Sequence, residues 1–260
     1  MLLKLILIPL LILCSLLASK RWGAFIGGIL AGLPLISGPV SFFLTLEQGA
    51  VFSAQASYNT LLGVEACAVT ALSYPWLAVL RVPWFLALPT SVVGFFVCGC
   101  LVQQLPHNIL LASTLALCAP LTILYLLPRR VYTTYTGKST DSHRVPWLIA
   151  LQMAFGAALV CVVTAAAKWL GTEWSGILMF FPIMICVIAP FLHVTVGPAA
   201  VIMTMRGLMT GWFGGIAFTL VVIFTVERLS ICACYSLAVA AALSVSFCLA
   251  LLERKHSSLS

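Results

Sequence analysis

Long apolar runs, each about the length of a membrane crossing, follow one another along this chain with short polar connections between them. A transmembrane helix needs about 20 mainly apolar residues, and on this criterion the sequence divides into nine runs. They lie near residues 2–19, 24–46, 54–79, 83–104, 109–127, 147–167, 174–193, 199–225 and 230–252. Because backbone groups in lipid must be satisfied within each segment, we expect an all-α, polytopic integral membrane protein with about nine transmembrane helices.

The overall composition supports the membrane class. Of the 260 residues, 63% are hydrophobic and 7% are charged, with a mean hydropathy of +1.17. These values exclude a soluble globular domain. The net charge of +7 lies mainly in the connections, where it sets orientation in the membrane. We therefore expect membrane lipids as partners and no nucleic acid.

Seven residues of the first half recur in the second half at a constant offset of 148 positions. The pairs are Lys20 and Lys168, Gly28 and Gly176, Ile29 and Ile177, Leu30 and Leu178, Pro34 and Pro182, Gly49 and Gly197, and Gly63 and Gly211. Interrupted segments at corresponding places in two halves are typical of transporters built from internal repeats. The sequence therefore predicts a single membrane domain, 1–260, with repeat one at 1–105, a linking span at 106–128, a cytoplasmic loop at 129–146 and repeat two at 147–252.

The basic residues are distributed unevenly between the two sides that nine spans define. One side carries Lys20, Arg21, Arg81, Arg129, Arg130, Lys138, Arg144, Arg254 and Lys255, and the other carries Lys4, Lys168 and Arg228. By the positive-inside rule the first side is cytoplasmic, so we expect the N-terminus outside and the C-terminus inside a bacterial cytoplasmic membrane. The fifth run reverses repeat two relative to repeat one. The repeats are thus expected to be inverted, or parallel if that run does not cross.

Glycine and proline interrupt the second and the seventh runs. Gly28 and Pro34 lie in the second run, and Gly176 and Pro182 lie in the seventh. Proline removes a backbone donor and clashes with the preceding turn, so we expect both helices to be kinked or broken. A helix N-terminus at such a break would favour an anionic ligand. Close packing of helices accounts for the glycines equally well.

Two charged residues lie deep inside predicted spans. Glu65 and Arg206 are roughly 15 and 10 Å from the starts of their runs at 1.5 Å per residue. The offset makes Tyr58 equivalent to Arg206, and Tyr58 shares a helical face with Glu65. We hypothesise that Arg206 binds an anionic group and that Glu65 is a counter-charge or a proton-coupling site. The alternative is a structural ion pair between them.

Other polar residues are weaker candidates for substrate binding. Ser37, Ser41 and Thr45 recur every four residues and present hydroxyls along one face of the second span. They would line a polar path, or hydrogen-bond to carbonyls and neighbouring helices. Asn59 lies near the mouth of the third span, as part of an entrance or as an interfacial residue. His193 ends the seventh span, as a pH-sensitive group or as a boundary residue.

The sequence indicates no metal site and no cofactor. All ten cysteines lie inside apolar runs, where a thiol behaves as a small hydrophobe. The two Cys-x-Cys pairs fall on helices, where neighbours two apart point about 200° away from each other. Phosphate-loop, zinc-protease, nucleophile-elbow and dinucleotide motifs do not occur in the sequence.

Part of the second half is similar to a family of small membrane proteins. The motif consists of Gly176-Ile177-Leu178, Phe181-Pro182, His193, Val196-Gly197 and Gly211-Trp212. It resembles GlpM-type membrane proteins, which are shorter chains with fewer spans. The resemblance covers about 50 residues of the second half around this motif and reaches the first half through the internal repeat. It implies a duplicated and fused form of that architecture, and it implies no functional residues.

These patterns favour a secondary transporter or exporter of a small anionic or amphiphilic molecule. Its site would lie between the interrupted second and seventh spans and would be lined by the third and eighth. One alternative is an intramembrane enzyme acting on a lipid-linked substrate, with Glu65, His193 or Arg206 as catalytic groups. Another is a non-catalytic subunit of a membrane assembly. A homo-oligomer is compatible with each of these hypotheses.

Overall fold

The computed structural model describes residues 21–34, 37–128, 150–159, 161–163 and 180–257, together with positions 10, 13, 14, 17, 18, 165, 177 and 178. Over these residues every regular element is helical. The eight helices with defined bounds are α1 Ala24–Gly32, α2 Ser37–Gln48, α3 Ala50–Val79, α4 Trp84–Val102, α5 Ile109–Leu126, α6 Ile183–Thr195, α7 Pro198–Thr225 and α8 Ile231–Ser257. Most of the predicted first span, the loop 129–146 and Gly176 lie outside the described residues.

Five of these helices, α3, α4, α5, α7 and α8, are long and apolar enough to cross a membrane. They coincide with the predicted third, fourth, fifth, eighth and ninth spans. The all-α fold and the integral membrane class are therefore confirmed. The total of nine spans and the internal repeat stay predictions.

Helices α3 and α7 form the centre of the bundle. In their most apolar windows 61% and 67% of the residues are buried, against 28% in each of α4, α5 and α8. The outer helices turn large apolar side chains outward, as on α4 with Leu86, Val93, Val97 and Leu101. Lipid tails are as apolar as these outward side chains, so large apolar residues can face the membrane while small residues allow the helices to pack closely inside.

The contacts at the helix ends define the relative directions of the central helices. Tyr58, near the start of α3, lines one cleft together with Ile109 at the start of α5 and Phe224 at the end of α7. Near the other end of α3, the Trp76 indole N–H donates to the Leu126 carbonyl of α5, at 3.2 Å. Hence α5 runs alongside α3 in the same direction, and α7 runs in the opposite direction.

The two segments that the sequence predicts to be interrupted are both broken. The first helix stops at Gly32, Leu33 is extended (φ −65°, ψ 153°), and α2 begins at Ser37. In the second half, Phe181 and Pro182 are non-helical and α6 begins at Ile183. The proline at each break explains why the helix does not continue.

Two glycines make the sharp turns that lead into the central helices. Gly49 joins α2 to α3 with φ 90°, and Gly197 precedes α7 with φ 107°. Both φ values lie in the region that glycine adopts without a steric penalty. The two turns are 148 positions apart, at one of the sequence identities described above.

Glycines also bring α1 and α7 into direct backbone contact. Gly28 and Gly32 on α1 face Gly207 and Gly211 on α7, and each pair has the spacing of a small-xxx-small packing motif. A Cβ at Gly207 would collide with the Phe25 carbonyl. Of the two explanations for Gly28, the contacts therefore favour close helix packing.

Candidate functional site

The two helix breaks meet at one cavity of about 100 Å³, which we call the break cavity. Both prolines, Pro34 and Pro182, lie in its wall, so it occupies the place at which the sequence predicts the site. Its other lining residues are Leu30, Ala31, Gly32, Leu33, Cys67, Phe180, Phe181, Ile183, Met184, Ile185, Leu208, Trp212 and Gly215. Helices α3 and α7 thus contribute one wall each, through Cys67 and Trp212.

Backbone groups supply much of the polarity of the break cavity, because its side chains are mostly apolar. Helix α6 begins there, and its first return bond runs from the Cys186 N–H to the Pro182 carbonyl at 2.9 Å. The N–H groups of Met184 and Ile185, in the first turn, have no intrahelical acceptor. A helix N-terminus also carries a partial positive charge. The cavity therefore suits an apolar group that ends in an anion or another hydrogen-bond acceptor.

A larger apolar cleft of about 410 Å³ adjoins the break cavity. Leu33 and Pro34 line both spaces. The other walls of the cleft come from α2, α7 and α8, with Gly38, Pro39, Phe42, Phe43, Phe218, Tyr235, Val239, Ala242 and Leu243. We call it the α2–α8 cleft. Together the two spaces form a site with a small hydrogen-bonding end and a long apolar end.

One wall of the break cavity is held by aromatic packing and by a glycine. The Phe180 and Trp212 rings are 5.4 Å apart and close to perpendicular, a favourable edge-to-face arrangement. A Cβ at Gly63 would lie 2.8 Å from Phe180 Cβ and 3.1 Å from the Ile177 carbonyl oxygen. Gly63 is therefore needed for α3 to approach this segment.

The predicted hydroxyl stripe on α2 belongs to a packed cluster. The Tyr235 hydroxyl lies 2.7 Å from Ser41 Oγ and 2.7 Å from Thr45 Oγ1. Thr45 also hydrogen-bonds to Ser53 Oγ at 2.7 Å and donates to the Ser41 carbonyl at 2.9 Å. The expectation of a bond to the carbonyl four residues earlier is confirmed for Thr45, and the expectation of a bond to a neighbouring helix is confirmed for Ser41 and Thr45. The side chain of Ser37 lies outside the described part.

Glu65 is half-buried on α3, and its Oε1 is buried with no hydrogen-bond partner among the described residues. A buried polar atom of this kind normally has a partner. The ion pair with Arg206 that the sequence suggests therefore does not satisfy this oxygen. Glu65 also does not line the break cavity.

Arg206, Asn59 and His193 also lie outside the break cavity. Arg206 is half-buried on α7, directly before Gly207, which packs against Phe25 of α1. Asn59 is half-buried on α3. His193, in the last turn of α6, places its Nδ1 at 3.3 Å from the Tyr74 hydroxyl. That contact joins α6 to α3.

Tyr58 is buried in the wall of a third space, which lies at one end of the bundle. This vestibule, of about 780 Å³, lies between the starts of α3 and α5 and the end of α7. Its polar lining residues are Gln48, Gln55, Tyr58, Glu227 and Arg228, and its apolar ones are Val51, Phe52, Ala54, Ile109, Ile223 and Phe224. The Tyr58 ring also lies 5.2 Å from the His107 ring.

The sequence did not indicate the α2–α8 cleft or the Tyr235 cluster. Each combines residues from helices that are far apart along the chain, such as Ser41 and Tyr235. The vestibule gathers polar residues from span ends, including Gln48 and Gln55, where the sequence suggests an entrance or interfacial positions. A metal centre is not evident either, since no group of three or more His, Cys, Asp or Glu side chains comes together within the described ranges.

No protein-family model, curated protein or solved structure matches this chain. The resemblance to GlpM-type proteins accordingly stays a prediction from the motif at residues 176–212. The class that the fold defines is an α-helical integral membrane protein with an internal cavity between two broken helices.

Proposed function

We propose that this protein is a secondary transporter or exporter of a small amphiphile with an anionic or hydrogen-bond-accepting head. The observation that carries the proposal is the break cavity, in which Pro34 and Pro182 of two interrupted helices face the same space. In membrane transporters, broken helices at corresponding places in two halves form the substrate site near the midplane.

In this proposal the head of the substrate occupies the break cavity. The start of α6 offers N–H groups at Met184 and Ile185 together with the positive end of the helix dipole. A cavity of about 100 Å³ exceeds the space that one water molecule needs, so a small polar head fits. Arg206 does not line this cavity, and its binding of an anion stays a prediction.

The apolar part of the substrate would lie in the α2–α8 cleft. This cleft shares Leu33 and Pro34 with the break cavity and has Phe42, Phe218 and Leu243 among its lining residues. Buried apolar area in such a cleft contributes roughly 25 cal/mol per Å² to binding in water. A purely polar solute would leave this surface unused, which is why we favour an amphiphile.

Two inverted repeats would explain why the breaks meet, and three observations support them. First, α3 and α7 occupy equivalent places in the sequence repeat and run in opposite directions. Second, Gly63 of α3 approaches the Ile177 carbonyl, and Gly211 of α7 approaches the Ile29 carbonyl. Third, both glycines and both isoleucines are separated by 148 positions. Inverted repeats allow alternating access by exchange of the two conformations.

The orientation of the protein follows from the charge bias under the same proposal. The cytoplasmic side would carry Arg21 and Arg81, and the outer side would carry His107, Glu227 and the vestibule. Topology reporters fused at His107 and after Ser260 test this assignment. They should report outside and inside respectively, and two cytoplasmic signals would contradict it.

A transport assay with a cavity-filling variant tests the proposed function. Purified protein is reconstituted into liposomes loaded with an extract of bacterial amphiphilic and water-soluble metabolites, and retained compounds are measured by mass spectrometry. We expect at least one anionic amphiphile to leave wild-type liposomes and to remain in Met184→Trp liposomes, because tryptophan fills the break cavity.

The matched control places the same side chain where no cavity exists. Leu101 is 60% exposed on the outer side of α4, so Leu101→Trp should release the same compound as the wild type. Identical retention by wild-type, Met184→Trp and protein-free liposomes would overturn the proposal.

A further inference from the structure

The central helix α3 has two functional faces that point away from each other. Gly63, Cys67 and Tyr74 lie four and seven residues apart and form its cavity face, toward residues 177–180, the break cavity and α6. The other face carries Tyr58, Glu65 and Trp76. These residues are separated by seven and eleven positions, which places them within about 40° of one another on a helix. Glu65 and Cys67, two residues apart, point about 200° away from each other.

The second face of α3 is directed toward α5, and we call it the α5 face. Tyr58 packs against His107, just before α5, and Trp76 donates a hydrogen bond to Leu126 at the end of α5. Since Glu65 lies between these two contacts on the same face, it is turned toward the middle of α5. The buried side of α5 there consists of small residues, including Ala112 and Ala116.

The Glu65 carboxyl therefore lies in an apolar environment with an unpartnered buried oxygen. An ionised carboxylate without a partner in such a place is strongly disfavoured. Membrane proteins retain ionisable residues at this depth mainly for ion pathways and proton relays. A buried oxygen without a partner calls for a proton, a water molecule or an ion.

The vestibule lies at the N-terminal end of the same face of α3 as this carboxyl. Tyr58 forms part of the vestibule wall, and Glu65 lies seven residues further along the same face, roughly 10 Å at 1.5 Å per residue. Side chains on a helix lean toward its N-terminus, and the N-terminus of α3 is at the vestibule. The carboxyl is thus closer to the vestibule than the backbone spacing indicates.

We propose that Glu65 is a proton-binding site that is reached through the vestibule and is separate from the break cavity. Protonation converts the carboxylate and a proton from water into a carboxylic acid, and the reverse step returns the proton to water. This inference rests on the proposed transport function, in which the bound proton is the coupling ion.

A proton fits this place better than a metal cation. A hard cation such as Ca²⁺ requires six to eight oxygen ligands, whereas the α5 face presents one carboxyl group and the α5 side presents alanines. Among the described residues, the other titratable or charged groups around this region include Cys98 from α4, Tyr58 and His107 at the vestibule, Glu227 and Arg228 across it, and Arg206 on α7, which packs against both α3 and α5. A protonated carboxylic acid carries no net charge, so its burial costs far less than that of the carboxylate.

Infrared difference spectroscopy of the purified protein in lipid nanodiscs tests the proton site without a transport assay. We expect an acid-minus-alkaline spectrum with a high-frequency carbonyl band, typical of a carboxylic acid in apolar surroundings and separate from the bands of exposed carboxyl groups, that decreases as the pH rises. Glu65→Gln should lack this band, and Glu47→Gln should retain it because Glu47 is exposed at the end of α2. A band that persists in folded Glu65→Gln protein would overturn the assignment.

The route is tested by the rate at which this band shifts after transfer into D₂O. Ala54 lines the vestibule, and Ala54→Trp should slow the shift about tenfold, a barrier increase of about 1.4 kcal/mol. Met184→Trp, which fills the break cavity, should leave the rate unchanged. The opposite result, with slowing only in Met184→Trp, would contradict the separation of the two sites.

The outcomes for transport and for protonation are distinguishable. Absence of transport by a wild-type protein that shows the Glu65 band would contradict the proposed function and leave the proton site intact. Transport by a wild-type protein without the band would overturn the proton site alone.

Discussion

Helix α7 approaches α1 through Gly207 and Gly211, whereas α3 approaches Ile177 and Phe180 through Gly63. The two contacts involve positions that are 148 apart, Gly211 with Ile29 and Gly63 with Ile177. On α1 and α7 the obstacle to a larger side chain is backbone, which cannot move without separating the helices. At Gly63 the nearest obstacle is Phe180 Cβ, which also moves only with its backbone, but it is the one atom closer than 3.0 Å there, whereas three atoms crowd Gly211.

This difference indicates that the contact of α7 with α1 is rigid and that the contact at Gly63 is looser. Backbone in contact with backbone along a glycine motif is typical of tightly associated membrane helices. Phe180, which Gly63 meets, packs on Trp212, and both rings form part of a wall of the break cavity. The looser contact therefore lies beside the break cavity.

The largest expected effect is at Gly211. In Gly211→Ala the new Cβ would lie 2.8 Å from Gly32 Cα and would collide with the Ile29 carbonyl. We expect destabilisation by about 3 kcal/mol, because overpacking against backbone forces the helices apart. Equilibrium unfolding in mixed micelles measures it.

Gly215→Ala is the matched control for this substitution, one turn further along α7. Its Cβ would be 3.7 Å from the Gly32 carbonyl oxygen, an ordinary contact. Alanine favours helix by up to about 1 kcal/mol over glycine, so stability should be unchanged or raised. Equal losses in the two variants would contradict the rigid contact between α1 and α7.

A smaller loss is expected at the looser contact. Gly63→Ala places a Cβ at 2.8 Å from Phe180 Cβ and 3.1 Å from the Ile177 carbonyl oxygen. Fewer atoms are crowded than at Gly211, so a smaller backbone shift at Phe180 relieves the overlap, and we expect destabilisation by about 1 to 2 kcal/mol. The same unfolding assay measures it, and a loss larger than that of Gly211→Ala would reverse the comparison.

The hydroxyl cluster should contribute less than either glycine contact. Tyr235→Phe removes the hydroxyl that lies 2.7 Å from Ser41 Oγ and Thr45 Oγ1. A net loss of about 1 kcal/mol follows from the usual contribution of a buried hydrogen bond. Thermal unfolding of the purified protein measures it; a variant as stable as the wild type would mean that the cluster does not hold α2 to α8.

The smallest effect is expected at His193, the residue of the second half that is equivalent to Thr45. His193, which is 148 positions after Thr45, accepts or donates one longer bond of 3.3 Å with the Tyr74 hydroxyl. Tyr74→Phe should reduce stability by about 0.5 kcal/mol, close to the average for hydrogen bonds between membrane helices. A loss greater than that of Tyr235→Phe would show that α6 depends more on this contact than the distances indicate.

Much of the fold could be predicted because its causes are local. Apolar runs of membrane length determine α3, α4, α5, α7 and α8, whose predicted ends agree with the structure within a few residues. Pro34 and Pro182 interrupt their helices through the loss of a backbone donor, which needs no tertiary context. The two prolines therefore also predict the position of the break cavity, which lies between them.

The chemistry of the site was less predictable, since it depends on which helix faces meet. Glu65 and Arg206 both appear as isolated charges in apolar runs, yet Glu65 faces α5 and neither lines the cavity. Periodicity places Ser41 and Thr45 on one face but does not reveal Tyr235 opposite them. The sequence alone does not tell whether a glycine serves helix packing or substrate binding. For Gly28, the backbone contacts in the structure favour helix packing.

The proposed transport requires that the break cavity open alternately to the two sides of the membrane, and native cysteines test this directly. Cys67 is 2% exposed in the cavity wall, and Cys118 is exposed midway along α5. Proteins that retain only one of these cysteines are treated with a membrane-impermeant thiol reagent in right-side-out and in inverted vesicles. Alternating access predicts labelling of Cys67 from both sides and of Cys118, at the depth of the lipid, from neither. A folded protein in which Cys67 reacts from one side only, or from neither, would contradict it.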